Sequence, residues 1–190
     1  MRPQAAPCVG GAVLHKKKYG KITVGAWLNL ELSQSSPLLM LFVGFGLLIA
    51  GIAVRIQVGS PYALILALGA KDIFPPIWLM SFVRALSFFT IGCAAGFVLG
   101  YREQGCQGEK YKGGMLFVLL AVLELLWYPT LFGAAWVFLS VLESILILIL
   151  SVCVTVSFYR VTKFAGMILL LHDIWVSYLL ILNFAILFCA

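Results

Sequence analysis

A chain of 190 residues that is 63% hydrophobic, carries 11% charged residues and has a net charge of +6 cannot cover a water-soluble fold with polar surface. Soluble domains average roughly 45–50% apolar and about 25% charged residues, so a bilayer is the solvent for most of this chain. The positive balance is then a topology signal rather than a sign of nucleic-acid binding.

Residues 1–35 precede the first long apolar run and read as a tail, flexible or lying on the membrane surface. Residues 36–190 read as one all-α domain of five transmembrane helices, each needing about 20 mainly apolar residues. The first span runs from Leu38 to Val54, opened by Ser36-Pro37 and closed by Arg55. The second runs from Pro76 to about Leu99 and is interrupted by Arg84. After the polar stretch YREQGCQGEKYKGG (101–114), Met115 to Tyr159 is too long for one span. Pro129 lacks a helical N–H and Gly133 tolerates turn geometry, which predicts a break between a third helix at 113–132 and a fourth at 136–158. Arg160 and Lys163 mark an elbow, and the fifth helix starts near Phe164.

Ten of the thirteen basic residues fall in the tail, the 101–114 loop and the elbow, on one side of this topology. The positive-inside rule therefore places the N-terminus in the cytoplasm and the C-terminus outside. No signal peptide or Arg- and Ser-rich presequence is expected, which points to a bacterial inner membrane. The five cysteines show no C-x-x-C spacing and imply neither a disulfide framework nor a zinc site.

Five ionisable residues fall at membrane depth: Arg84, Glu124, Glu143, His172 and Asp173. Each costs about 2.5–3.5 kcal/mol at a helix centre, so such groups face the bundle interior as internal ion pairs, ligand sites or pathways. Arg84 pairing with Glu124 or Glu143 is one reading, and a ligand site is the other. Helical spacing puts Glu124, Trp127, Tyr128 and Leu131 on one face. Ser140, Glu143, Ser144, Ser151 and Thr155 form a polar seam, and His172, Trp175, Leu179 and Asn183 share a stripe with Asp173 and Ser177 beside it. Gly92, Gly96 and Gly100 form a doubled G-x-x-x-G that serves either packing within the chain or a dimer face. No catalytic motif, Asp–His–Ser set or metal-ligand spacing stands out. The pattern is that of an apolar, aromatic-lined cavity with few polar groups.

PPIWLMSFVRALSFFTIGCAAGFVLGY (75–101), the W-x-P-x-x-F-G element from Trp127 to Gly133, and the F-Y-R elbow before the fifth span resemble the TspO/MBR family of tryptophan-rich sensory and translocator proteins. The resemblance implies a five-helix bundle, commonly homodimeric, with a pocket under the loop joining the first two helices. It further implies an amphipathic ligand, a porphyrin or haem bound non-covalently, with sterols and benzodiazepine-type compounds for some members. Trp78, Trp127, Pro129, Phe132, Gly133, Trp175 and Asn183 match the family pattern. Arg84 replaces a pocket tryptophan, Glu124 an asparagine, Glu143 an aspartate, and Leu171-His172 a Pro-Tyr pair.

The implied ligand-binding residues are Trp78, Arg84, Phe88, Glu124, Trp127, Tyr128, Glu143, His172 and Trp175, with Glu124 facing Arg84. Arg84 suits an anionic ligand group, and His172 is placed to touch the ring or a bound metal. Arg84 also removes half of a tryptophan pair linked to porphyrin breakdown, so an enzymatic role is not carried over. Phe184 stands where the C-terminal sterol motif has tyrosine. The competing reading is a small transporter with Arg84, Glu124, Glu143 and Asp173 as an ion or proton relay.

Overall fold

The computed structural model describes residues 33, 35–67, 74–102 and 107–189. The expected tail lies outside the described residues apart from Ser33 and Ser35. Helices α1 (Pro37–Val58), α3 (Ile77–Gly100), α4 (Gln107–Tyr128), α5 (Val137–Val161) and α6 (Lys163–Cys189) are long and apolar enough to cross a membrane. A short helix α2 (Tyr62–Ala67) lies between α1 and α3, where no helix was expected.

The helices close a ring. α1 packs on α3, α3 on α6, α6 on α5 and α5 on α4, and α4 returns against α1 and α3. Ile91, Phe97, Leu120, Leu131, Val154, Leu169 and Ile186 fill its centre. Their burial differs from that in a water-soluble bundle, because the outer faces stay apolar: Phe42, Ile56, Leu146, Ile174 and Ile181 are exposed.

Two expectations change in detail. Pro129 does not end the third span. Pro129–Gly133 continues α4 as a π-helical turn, in which Ala134 N donates to Pro129 O at 2.9 Å. The wider turn accommodates a residue that has no N–H to give, and π-bulges commonly mark functional sites. The helix ends at Gly133, one residue past the expected 132, and Ala135, whose φ is +56°, turns the chain toward α5. At its other end α4 begins at Gln107, within the stretch read as a polar loop.

Gly92, Gly96 and Gly100 serve packing within the chain. A Cβ on Gly92 would stand 2.8 Å from Gly44 Cα, and one on Gly96 2.6 Å from Leu39 O, both α1 backbone. Gly100 meets Ser36 in the same way, so α1 occupies the face that a dimer partner would have used. The elbow between α5 and α6 is a single residue, Thr162, whose Oγ1 accepts from Ala165 N at 3.1 Å and caps α6.

The polar seam on α5 faces α6. Asn183 Nδ2 donates to Ser144 Oγ at 3.3 Å, and Ser140 Oγ donates to Asn183 Oδ1 at 3.2 Å. Lower on the same interface Thr155 Oγ1 donates to Asp173 Oδ2 at 2.9 Å, and Ser151 Oγ donates to Oδ1.

Candidate ligand pocket

α1, α3 and the end of α4 enclose a cavity of about 660 Å3, with Gly59, Ser60 and Pro61 on its lining. That volume lies within the roughly 300–1,000 Å3 of small-molecule sites. Its wall is apolar and aromatic: Phe82, Phe88, Trp127, Tyr128 and Phe132 all contribute. The π-turn delivers Phe132, which packs edge-on to Trp127 at 6.0 Å and tilted on Tyr128 at 4.9 Å between ring centroids. The chain leaves α1 through Gly59, at φ 87° and ψ −156°, a region open essentially to glycine alone. Tyr128 Oη donates to Gly59 O at 3.2 Å and ties this turn to α4.

Among the described residues, two cations, Arg55 and Arg84, line the cavity, and no carboxylate does. The Arg84 guanidinium sits in an aromatic cage, 4.8 Å from the Trp127 ring and 5.1 Å from each of Phe88 and Tyr128. Each such contact is worth about 0.5–2 kcal/mol, more where water is excluded. Its Nη2 donates to the backbone oxygen of Glu124 at 2.9 Å.

Glu124 does not face Arg84 as expected. Its Oε1 lies 3.1 Å from His172 Nε2, close enough to pair with a protonated ring although off the line of a hydrogen bond. His172 Nδ1 in turn shares a hydrogen bond with Ser87 Oγ at 2.6 Å. Ser87, Glu124 and His172, on α3, α4 and α6, thus form a buried polar chain that their sequence separation concealed.

A second cavity of only about 10 Å3 lies behind Arg84 and Trp127, lined also by Glu124, Ser144 and Trp175. Arg84 and Trp127 therefore form the partition between the large pocket and the polar core.

Of the expected site residues, Arg84, Phe88, Trp127 and Tyr128 line the large pocket. Glu124 and Trp175 stand behind it. His172 lies in the core, with Nδ1 bonded to Ser87 Oγ and Nε2 3.1 Å from Glu124 Oε1, and it does not line the large pocket. Glu143 is buried on α5 outside these linings. Trp78 is 70% exposed on the outer surface of α3. It precedes Arg84 by six residues, about 240° round a helix, so the two cannot share a face. Arg55, expected only to close the first span, lines the pocket. Its spacing from Leu48, Gly51 and Ile52 on one stripe of α1 is the sequence signal for that place. Among the described residues no group of His, Cys, Asp and Glu side chains is arranged to hold a metal ion.

The model of the TspO/MBR family matches residues 37–189, the whole of the five-helix bundle. The chain belongs to the TspO/MBR family. It is similar to the tryptophan-rich protein TspO of Chlorobaculum tepidum, with 33% identity over 113 residues that cover 60% of this chain and 70% of the relative. No solved structure matches it significantly. Membership together with five apolar spans makes this TspO/MBR protein an integral membrane protein of the sensory or ligand-binding kind.

Proposed function

We propose that the protein is a membrane receptor or carrier for an anionic amphipathic ligand, with a tetrapyrrole as its best-fitting class, bound in the cavity between α1, α3 and α4. The observation that carries this reading is the presence of both Arg55 and Arg84 on an aromatic wall that, among the described residues, has no carboxylate. A flat apolar ring with carboxylate substituents presents both complements: stacking surface for Trp127 and Tyr128, and acceptors for guanidinium donors. A porphyrin or haem would bind through this periphery rather than through a protein ligand to its centre, since His172 is held in the core.

The homodimer implied by family resemblance belongs to the same proposal, and a face other than Gly92–Gly96–Gly100 would have to form it. So does placement in a bacterial inner membrane with the N-terminus in the cytoplasm. A second reading, a proton- or ion-coupled transporter, draws support from the Ser87–His172–Glu124 chain, though Arg84 and Glu143 do not join it. Vesicles containing the protein separate the two. Saturable quenching of tryptophan fluorescence by protoporphyrin, without flux driven by a pH gradient, supports the receptor. Gradient-driven flux without saturable quenching replaces it with the transporter.

A further inference from the structure

A separate groove of about 520 Å3 runs along the seam between α3 and α6 and shares only Met80 with the large pocket. Leu79, Leu86, Leu171, Ile174 and Tyr178 on its lining are exposed, so it opens sideways, toward the hydrocarbon when the protein is in a bilayer. Among the described residues no Asp, Glu, Lys or Arg lines it. Ser87 and His172, which the large pocket does not use, both do.

Ser87 Oγ and His172 Nδ1 share a hydrogen bond at 2.6 Å, and His172 Nε2 lies 3.1 Å from Glu124 Oε1. A hydroxyl, an imidazole and a carboxylate in that order are a nucleophile, a base and its orienter, a set recognised by geometry and roles rather than by sequence position. Neutral imidazole has one N–H and one lone pair. With the proton on Nε2, toward Glu124, Nδ1 accepts from Ser87 Oγ. Once Nδ1 takes the Ser87 proton, the carboxylate stabilises the imidazolium. The Glu124 contact is off the line of a hydrogen bond, as such contacts often are before substrate binds.

We propose that Ser87 and His172 form an acyl-transfer site for neutral long-chain esters lying in this groove, with Glu124 as a positioning residue. Depth sets the substrate class. Ser87 is ten residues past Ile77, the start of α3. That is about 15 Å along the helix, near the middle of a hydrocarbon layer about 30 Å thick. Phospholipids keep their ester groups at the interface, whereas an uncharged ester of a fatty acid and a fatty alcohol dissolves at this depth. Ser87 Oγ bonds to the acyl carbon, its proton passes through Nδ1 to the leaving alcohol oxygen, and the ester C–O bond breaks. Water then attacks the acyl-serine, Nδ1 takes its proton and returns it to Ser87 Oγ, and the free acid leaves. Trp175 and Tyr178 bring an N–H and an O–H donor to the lining for charge on the carbonyl oxygen. Water is scarce at this depth, so the second step is the slower one.

Full-length protein in detergent micelles is treated with a long-chain alkyl fluorophosphonate, and the modified residue is located by mass spectrometry. A single phosphonyl group on Ser87, with loss of fluoride, is expected. With nitrophenyl palmitate, wild type should release a burst of one equivalent of nitrophenol before slower turnover. Ser87→Ala should lose the burst and Ser87→Cys should keep one. His172→Gln should slow it about 100-fold or more, as loss of a general base does. Glu124→Gln should lower kcat and leave KM unchanged, because Glu124 does not line the groove. Wild-type protein left unmodified, or modified at a residue other than Ser87, would overturn the proposal without any variant having to fold. So would a burst that survives Ser87→Ala.

Discussion

Arg84 and Glu124 meet without forming a salt bridge. The guanidinium donates to the Glu124 backbone oxygen at 2.9 Å, while the Glu124 carboxylate turns to His172 at 3.1 Å. The cation is thereby left on the pocket side, held by three aromatic rings, and the anion on the core side. This division is what gives the pocket its positive character within an apolar bundle.

Removing one partner of the core pair should be costly and removing both should not. Glu124→Leu leaves His172 Nε2 buried beside an apolar group, and orphaning a buried polar atom costs about 1–3 kcal/mol. The double variant Glu124→Leu/His172→Leu should recover much of that loss. Thermal unfolding in detergent micelles checks the cycle, and additive losses would show that the two side chains do not act as a pair.

Gly59→Ala should destabilise by about 1–3 kcal/mol, because its φ of 87° and ψ of −156° exclude a side chain even though the space beside it is open. The same change should weaken ligand binding, since Gly59 O anchors Tyr128 Oη at 3.2 Å. Unfolding and binding measured on one preparation test both parts. An alanine variant indistinguishable from wild type in both would remove the turn from the account.

The five spans were legible in the sequence because hydrocarbon thickness sets helix length and charge marks the ends. The polar seam of Ser140 and Ser144 and the stripe carrying Asn183 were legible as well from helical spacing, but not that the two meet. Partner choice was not. Glu124, Arg84, Ser87 and His172 come from three helices, and only the relative rotation of those helices decides which of them touch. Trp78 illustrates the same limit from the other direction: its side chain suits a pocket, but its position on α3 turns it outward. The π-turn at Pro129 was hidden because a proline in an apolar run reads first as a break.

Gly96→Ala should push α1 from α3, because its Cβ would lie 2.6 Å from both Leu39 O and Met40 Cα, which are backbone and cannot swing aside. Overpacking of this kind costs about 1–3 kcal/mol. Gly46→Ala, whose Cβ meets nothing within 4 Å, is the matched control and should be close to neutral. Since α1 carries Leu48, Gly51 and Arg55 into the pocket, the Gly96 variant should also bind ligand more weakly. Comparable melting temperatures for the two variants would contradict the close α1–α3 approach.

Asn183→Leu should cost about 0.6–2 kcal/mol, the range of interhelical hydrogen bonds in membranes. It removes the bond to Ser144 and the acceptor for Ser140, and leaves the pocket lining untouched. Stability should therefore fall while ligand affinity stays the same. A loss of affinity without a loss of stability would place Asn183 in the site instead.

The central claim is that Arg84 reads the anionic groups of a tetrapyrrole, and its most direct test is a fluorescence titration in nanodiscs with protoporphyrin and with its dimethyl ester. Charge-assisted hydrogen bonds contribute about 1.5–3 kcal/mol, so wild type should bind the free acid roughly 10- to 100-fold more tightly than the ester. Arg84→Gln should lose most of that preference while binding the ester about as before. Equal wild-type affinity for acid and ester, or an unchanged preference in Arg84→Gln, would contradict the account.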